Sequence, residues 1–400
     1  MNDAAIKKII GNIKTIISDP LVSHGFSGIK CDMTPFEFIS KELNKRDKEF
    51  HLDKYACKQI YLLAKENYVV VNNIDNSSLM SDLSSEKKEE FAKYILEHYL
   101  KTPLTYFVVI PLQWMKPLGV YNDQSSSVSL SQGKKMLISF TKNSYEEYAE
   151  CRIKANGYFS YTNEKIMLKT VMQSLNVLVF LFKQNGIIHS VHSYHKLPAT
   201  VELLMGKDHT FLSIDANAIC EEYQYFNRYL TISFSISKYL NELSLMKSFE
   251  DLPTDSAQSL VESTLLLANS LIDNKSDEAA RVKSAIDWLI QSEVNEDDTM
   301  SFIQVCMGLE SIFGDNDSEG GLTNSLADRC AYLIGRNIVE RKEIKEEFKK
   351  MYRVRSKIIH GVKSHLTQNE EHIRSRAFYY LQKSILKEIR NLRDLPERKL

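Results

Sequence analysis

The sequence predicts an α+β N-terminal region followed by an all-α helical bundle, and three observations support this fold class. Helical periodicity dominates residues 1–100. Short β-branched or aromatic runs, bounded by Gly, Asn, Asp and Ser, lie between residues 104 and 215. From Thr254 onward, apolar residues recur at helical spacing with few strand features between them. A chain of 400 residues also exceeds what one hydrophobic core usually fills, so we expect two or three domains.

The N-terminal region is predicted to start with helices and to continue with strands. The predicted helices cover residues 4–17, 35–43, 53–66 and 85–100, the last behind a Ser-Ser-Glu capping sequence. Strand-like runs lie at residues 68–71, 107–110, 127–130, 136–140 and 211–214. Periodicity leaves residues 165–183 open between one helix and two strands. We interpret residues 1–250 as a sensing or regulatory region, either undivided or split into two subdomains near residue 104.

The C-terminal bundle is predicted to contain five helices. They cover residues 276–294, 297–313, 322–334, 340–359 and 369–392. Gly314 and Gly335 follow the second and third of them, where glycine commonly ends a helix. Because the connections are short, a bundle at residues 276–400 is the expected architecture, after a connecting helix or linker at 251–275.

Composition and charge restrict the function classes. The six cysteines lie far apart, without the close pairs of a structural zinc site, and neither a secretory signal nor an apolar run long enough to cross a membrane is present. We therefore expect a cytoplasmic protein with reduced thiols and no membrane contact. Residues 341–400 carry a net charge of +9 and residues 1–340 a net charge of −10. This polarity fits a polyanionic partner such as RNA, or else a set of solvated lysines on amphipathic helices.

Several common sites are not expected. The chain has no phosphate-binding lysine loop, no Gly-rich dinucleotide turn and no nucleophile elbow, so we predict no cofactor. His189, His192 and His195 recur every third residue, a spacing that shares one face of neither a strand nor a helix. We therefore predict no metal site there.

Arg355 occupies an unusual position in the predicted helix 340–359. At about 100° per residue, Phe348, Met351 and Tyr352 form an apolar stripe with Arg355 in its middle, whereas Arg353 points the opposite way. An arginine at a buried position needs an anionic partner. That partner is either a core acid such as Glu310 or a bound phosphate.

His360 precedes Gly361, where the same helix is expected to end. An imidazole at this position is suited to proton transfer near neutral pH, and the alternative is a histidine that merely complements the helix dipole. On an unbroken helix, residues five apart lie about 140° apart around the axis. Arg355 and His360 therefore converge on one phosphate only if the last turn unwinds or if two subunits share the site.

These residues resemble a known family. The run Tyr352-Arg-Val-Arg-Ser-Lys-Ile-Ile-His-Gly361, with Met307-Gly-Leu-Glu-Ser-Ile-Phe-Gly314 and Leu326-Ala-Asp-Arg-Cys-Ala-Tyr-Leu-Ile334, resembles the HEPN domains (higher eukaryotes and prokaryotes nucleotide-binding), specifically the Apea-like group. The resemblance covers residues 276–395. The Arg-x4-His spacing, its position at the end of the fourth helix, the following Gly and the preceding Leu-Glu helix together carry it.

The resemblance implies a metal-independent endoribonuclease that dimerises so that two Arg-x4-His elements face one cleft. Arg355 would hold the scissile phosphate, and His360 would act as general base or general acid. It further implies cleavage of host RNA, with tRNA as one target, in anti-phage defence, under a phage-derived activator. Ser356 departs from the family, because many active members carry Asn, Asp or His directly after the arginine.

The remaining assignments concern neighbouring side chains. Glu310, Tyr352 and Ser356 are predicted to support the two catalytic residues, and Arg329 has a similar structural role. Arg353, Lys357 and Lys363 are predicted to bind RNA. Two other functions stay open: an inactive HEPN scaffold for dimerisation or RNA binding, and a nucleotide-sensing regulator with its ligand in the N-terminal region.

Overall fold

The computed structural model describes residues 2–19, 32–46, 52–73, 83–112, 115, 126–137, 144–157, 164–190, 214–314 and 322–392. The chain divides into two compact units, one formed by Met1–Phe107, Lys154–Thr170 and Asn217–Arg228, the other by Val108–Ile153, Val171–Ala216 and Tyr229–Leu400. Helices and a small antiparallel sheet occur together, so the α+β expectation is confirmed at this level. No helix within the described ranges is both long and apolar enough to cross a membrane.

The first unit contains four packed helices. They are α1 (Asp3–Ser18), α2 (Thr34–Asn44), α3 (Lys54–Val71) and α4 (Ser85–Leu100). Helix α1 packs on α2 and α4, and α3 packs on the same two helices. Their core is aromatic: the ring of Tyr61 lies 5.9 Å from that of Phe36 and 6.2 Å from that of Phe91. The four predicted helices are confirmed.

The strand predicted at residues 68–71 is wrong, because α3 continues through Val71. Tyr68 lies on the buried face of this helix and packs against Phe91, with 4.7 Å between ring centroids. Val70 and Val71 are exposed at its last turn. Packing of the helix thus overrides the β propensity of a short valine run.

The described strands form two sheets. The larger has the order β2-β3-β1-β5-β6 and the smaller is the antiparallel pair β4-β7. The strands are β1 (Leu104–Leu112), β2 (Val128–Leu137), β3 (Ser144–Gly157), β4 (Ile188–Ser190), β5 (Asp215–Cys220), β6 (Arg228–Thr231) and β7 (Leu243–Leu245). Strands β2 and β3 pair antiparallel, with Leu130 opposite Cys151.

Two of the predicted strands belong to one strand of the structure, and other predictions for this region matched it only in part. The runs at 127–130 and 136–140 both fall on β2, except for residues 138–140, which lie outside the described residues. Of the run 211–214, only Ile214 is described, directly before β5. Residues 165–183 form one helix, α5 (Glu164–Gln184), and not two strands. Strand β3 was missed, although Cys151, Ile153 and Ala155 alternate as buried residues along it.

Three helices lead into the C-terminal bundle: α6 (Phe234–Asn241), α7 (Lys247–Glu250) and α8 (Thr254–Asp273). Five helices then pack on one another: α9 (Asp277–Val294), α10 (Asp298–Phe313), α11 (Leu322–Ile334), α12 (Ile338–Ile359) and α13 (Glu371–Asn391). Their bounds agree with the predicted ones to within two residues. Ser276, Asp297 and Asn337 cap the starts of α9, α10 and α12 with their side chains. Local capping and apolar periodicity therefore determine where these helices lie.

Candidate active site

Arg355 is held against α10 by an ion pair. Its Nη2 lies 3.0 Å from Oε1 of Glu310 and donates a hydrogen bond to Oε2 at 3.2 Å. The two side chains keep 28% and 26% of their surface exposed. The buried Nε of Arg355 donates to no acceptor in the part of the chain that the structure describes. The predicted anionic partner of Arg355 is therefore a carboxylate of this chain, and part of the guanidinium remains open to solvent.

Tyr352 lies between Arg355 and the core of the bundle. Its ring stacks on Phe348 at 4.8 Å, and Cζ of Arg355 is 5.9 Å from its centroid. The hydroxyl lies 3.5 Å from the carbonyl oxygen of Cys306. Burial raises the pKa of Tyr352 well above its ordinary value, and the nearby Cys306 and Glu310 raise it further. Tyr352 therefore stays protonated near neutral pH, and what it offers Arg355 is a packing surface.

His360 lies at the C-terminal end of α12 and is exposed. Its backbone N–H donates to the carbonyl oxygen of Ser356 at 3.0 Å, as in a regular helix. Gly361 follows with φ +70° and donates to the carbonyl oxygen of Ile358, which confirms the predicted left-handed helix end. The last turn does not unwind, so that alternative is wrong. Within one chain, Arg355 and His360 thus project about 140° apart around α12.

The three residues predicted to bind RNA differ in their surroundings. Arg353 and Lys357 are exposed on α12 and meet no carboxylate among the described residues. Lys363 is instead largely buried and forms an ion pair with Glu370. That ammonium, together with the backbone N–H of Thr367, lowers the pKa of Glu370 to about 2. The charge of Lys363 is therefore engaged inside the chain, whereas those of Arg353 and Lys357 face solvent.

The other residues singled out in the sequence are Arg329, Ser356 and the three histidines. Arg329 donates from Nη1 to the carbonyl oxygen of Phe313 at 2.8 Å and so closes the end of α10. Ser356 is exposed, and its carbonyl oxygen belongs to the last turn of α12. His189 is exposed on β4, whereas His192 and His195 lie outside the described residues. Among the residues with a described position, no group of His, Cys, Asp or Glu is arranged to hold a metal ion.

One exposed cation was missed in the sequence. Lys350 is exposed on α12, three residues before Arg353 and seven before Lys357. At about 100° per residue these intervals bring the three side chains to one side of the helix. The intervals of three and four residues between these cations are the sequence feature that identifies Lys350.

Glu310 and Tyr352 thus surround Arg355, and backbone hydrogen bonds within the chain end α12 at His360. Comparison with known proteins gives no match, neither to a family model, nor to a curated protein, nor to a solved structure.

Proposed function

We propose that this chain is a metal-independent endoribonuclease of the HEPN class that acts as a homodimer. One arrangement supports this function: a partly exposed Arg355, fixed by Glu310, in the same helix whose exposed last residue is His360. A guanidinium held in place by a carboxylate and an aromatic ring is suited to bind a phosphate in a fixed orientation. An exposed imidazole is suited to exchange a proton with a ribose hydroxyl.

In this reaction the 2′-oxygen of the ribose attacks the adjacent phosphorus. A new P–O2′ bond forms, the P–O5′ bond breaks, and the products are a 2′,3′-cyclic phosphate and a free 5′-hydroxyl. His360 takes the proton from the 2′-hydroxyl or gives one to the leaving 5′-oxygen. Arg355 stabilises the negative charge that builds on the phosphate oxygens. This chemistry requires a 2′-hydroxyl, so DNA is not a substrate.

Two copies of the chain are needed for this mechanism. Arg355 and His360 of one copy project about 140° apart, so they do not meet at the same phosphate. In a symmetric dimer, Arg355 of one copy pairs with His360 of the other, and two equivalent sites result. The resemblance of residues 276–395 to HEPN domains favours the same arrangement.

The test is RNA cleavage in the presence of EDTA. Purified protein is incubated with total RNA beside the Arg355→Ala and His360→Ala variants, with His372→Ala as the control, since His372 is another exposed histidine of the bundle. Cleavage by the wild type and the control, lost in both variants, is the expected result. Intact RNA in all four samples would contradict the proposed function.

Mixing the two inactive variants tests the shared site. Random exchange makes half of the dimers mixed, and each mixed dimer contains one intact site, so about a quarter of the wild-type activity should return. No recovery in a mixture that does exchange subunits would mean that each copy uses its own pair.

A catalytically inactive scaffold is the second candidate. The Arg355–Glu310 ion pair favours it, because the arginine is already neutralised without any phosphate, and Ser356 supplies no titratable group. Under this function, Arg355→Ala weakens the bundle but leaves RNA integrity unchanged. Growth arrest on overexpression, relieved by His360→Ala, would favour the ribonuclease acting on host RNA such as tRNA.

A further inference from the structure

Four cationic or titratable side chains form a single row on the exposed side of α12. Lys350, Arg353, Lys357 and His360 follow one another at intervals of three, four and three residues. At about 100° per residue, all four lie within an arc of about 80°. Each of them is exposed. We call these four residues the α12 row.

The row is separate from the position of Arg355. Arg355 points about 180° away from the middle of the row, toward α10 and Glu310. His360 therefore shares a side of the helix with Lys350, Arg353 and Lys357. A ligand bound along the row therefore extends to His360 of the same copy.

The cations of the row differ from their neighbours in having no acidic partner. Most other Lys and Arg residues near them in sequence are ion-paired within the bundle. These pairs are Lys345–Asp328, Lys349–Glu346, Arg355–Glu310, Lys363–Glu370, Arg374–Asp298 and Arg376–Glu347. Lys350, Arg353 and Lys357 form no ion pair with any carboxylate in the described ranges. Lys350, Arg353 and Lys357 thus place three positive charges in line along one side of α12.

We propose that the α12 row binds the sugar-phosphate backbone of single-stranded RNA and leads it to His360. The row is about 15 Å long, because it spans ten residues of helix. At about 3.4 Å per phosphate of one stacked strand, this length matches about four phosphates. A duplex has two phosphate backbones, so binding both of them would require a second row of cations. This inference relies on the proposed function only for RNA as the polyanion.

An anionic membrane surface is the less favoured ligand. Amphipathic helices that bind membranes interleave their cations with exposed aromatic or large apolar side chains. Between Lys350 and His360, Met351, Tyr352 and Val354 are buried in the bundle, and Ser356 is the polar neighbour of the row. Ile359 is exposed at the end of the helix, but it points about 100° away from His360. The row is therefore polar along most of its length, as a phosphate-binding surface requires.

The test measures binding to a strand that cannot be cleaved. The probe is a fluorescein-labelled single strand of roughly 20 nucleotides of 2′-O-methyl RNA, which lacks the attacking hydroxyl, and binding is followed by anisotropy over a range of KCl concentrations. Arg353→Gln/Lys357→Gln removes two cations from the row. Lys383→Gln/Lys387→Gln removes two exposed cations from α13 and serves as the control of equal charge change.

The expected outcome follows from counterion release. Each cation that neutralises a phosphate of a single strand contributes about 0.7 to the slope of log K against log salt, or about fivefold in affinity near 0.1 M salt. The row variant should therefore bind about 25-fold more weakly, with a slope that is smaller by about 1.4. The control should bind within about threefold of the wild type, since long-range effects of exposed charges are screened at that salt.

If both variants bound the RNA strand equally weakly, the proposed role of the row would be wrong, because binding would depend only on net charge. Binding of the wild type to vesicles rich in phosphatidylserine, without binding to the RNA strand, would assign the row to a membrane instead. Cleavage does not enter this experiment. RNA binding through the row without RNA cleavage would support the inference and contradict only the proposed ribonuclease activity. RNA cleavage together with unchanged binding by the row variant would support the ribonuclease and contradict the inference.

Discussion

The guanidinium Nη2 of Arg355 lies 3.0 Å from Oε1 of Glu310, and this ion pair joins the last turns of α12 and α10. Removing one partner leaves the other partly buried without a counter-charge, whereas removing both does not. Because more than a quarter of each side chain is exposed, solvent screening keeps the effect modest.

We expect Glu310→Gln to lower the free energy of unfolding by about 1 kcal/mol, and a double-mutant cycle with Arg355→Gln to give a coupling of about 0.5–1 kcal/mol. Urea unfolding measures both quantities. The exposed pair Lys41–Glu37 is the matched control and should couple by less than about 0.5 kcal/mol. Equal coupling in the two pairs would show that partial burial adds nothing at Arg355.

Gly308 lies where α10 approaches its neighbours. A Cβ at this position would be 2.6 Å from Cδ2 of Leu381 and 3.3 Å from Cβ of Trp288. Leu381 is fully buried and has little room to move, so we expect Gly308→Ala to destabilise the protein by about 1–2 kcal/mol through overpacking. Gly11→Ala is the control, because nothing lies within 4 Å of its Cβ, in the middle of α1. It should stabilise by about 0.5–1 kcal/mol in the same thermal unfolding measurement. A rise in melting temperature for Gly308→Ala as large as that for Gly11→Ala would mean that Leu381 shifts without cost.

Gly361 ends α12 with a positive φ of 70° in open space. Its replacement therefore tests backbone strain alone. Gly361→Ala should cost about 1 kcal/mol of stability, and Gly361→Asn less, because asparagine tolerates this conformation better than alanine. Chemical denaturation of the three proteins checks the order. If the alanine variant were as stable as the wild type, the backbone at Gly361 would not be left-handed.

The Lys363–Glu370 ion pair predicts a pH dependence. The pKa of Glu370 is lowered from 4.5 to about 2 in the folded protein, first by the ammonium of Lys363. A carboxylate with a depressed folded-state pKa contributes stability that is present above its unfolded value and lost as the pH falls toward the folded value. The melting temperature of the wild type should therefore exceed that of Glu370→Gln near pH 6, and the difference should shrink between pH 4.5 and about 2. A difference that stays constant across this range would exclude the pair as its cause.

The bundle could be predicted because its rules are local. Capping side chains such as Asp297 and a helix-ending glycine such as Gly361 act within one turn, and apolar periodicity marks the buried face. The sheet was harder to predict. The run at 68–71 has strand-like residues but completes a helix, because Tyr68 packs on Phe91 from another helix. Strand β3 alternates in the expected way but contains many charged residues, and its pairing with β2 depends on a partner elsewhere in the chain.

From the sequence alone it follows that Arg355 lies in an apolar stripe and that it needs an anion, whereas the regular last turn that separates it from His360 is a finding of the structure. The identity of the anion depends on the fold, since Glu310 is distant in sequence and reaches Arg355 only through the packing of α10 on α12. Lys363 pairs with Glu370 only seven residues further along the chain, whereas Lys350, Arg353 and Lys357 have no acidic partner in the described ranges. Periodicity fixes the side of a helix on which a charge lies. The charge that it meets depends on neighbouring helices, because electrostatic partners are chosen by distance in space and not by distance along the chain.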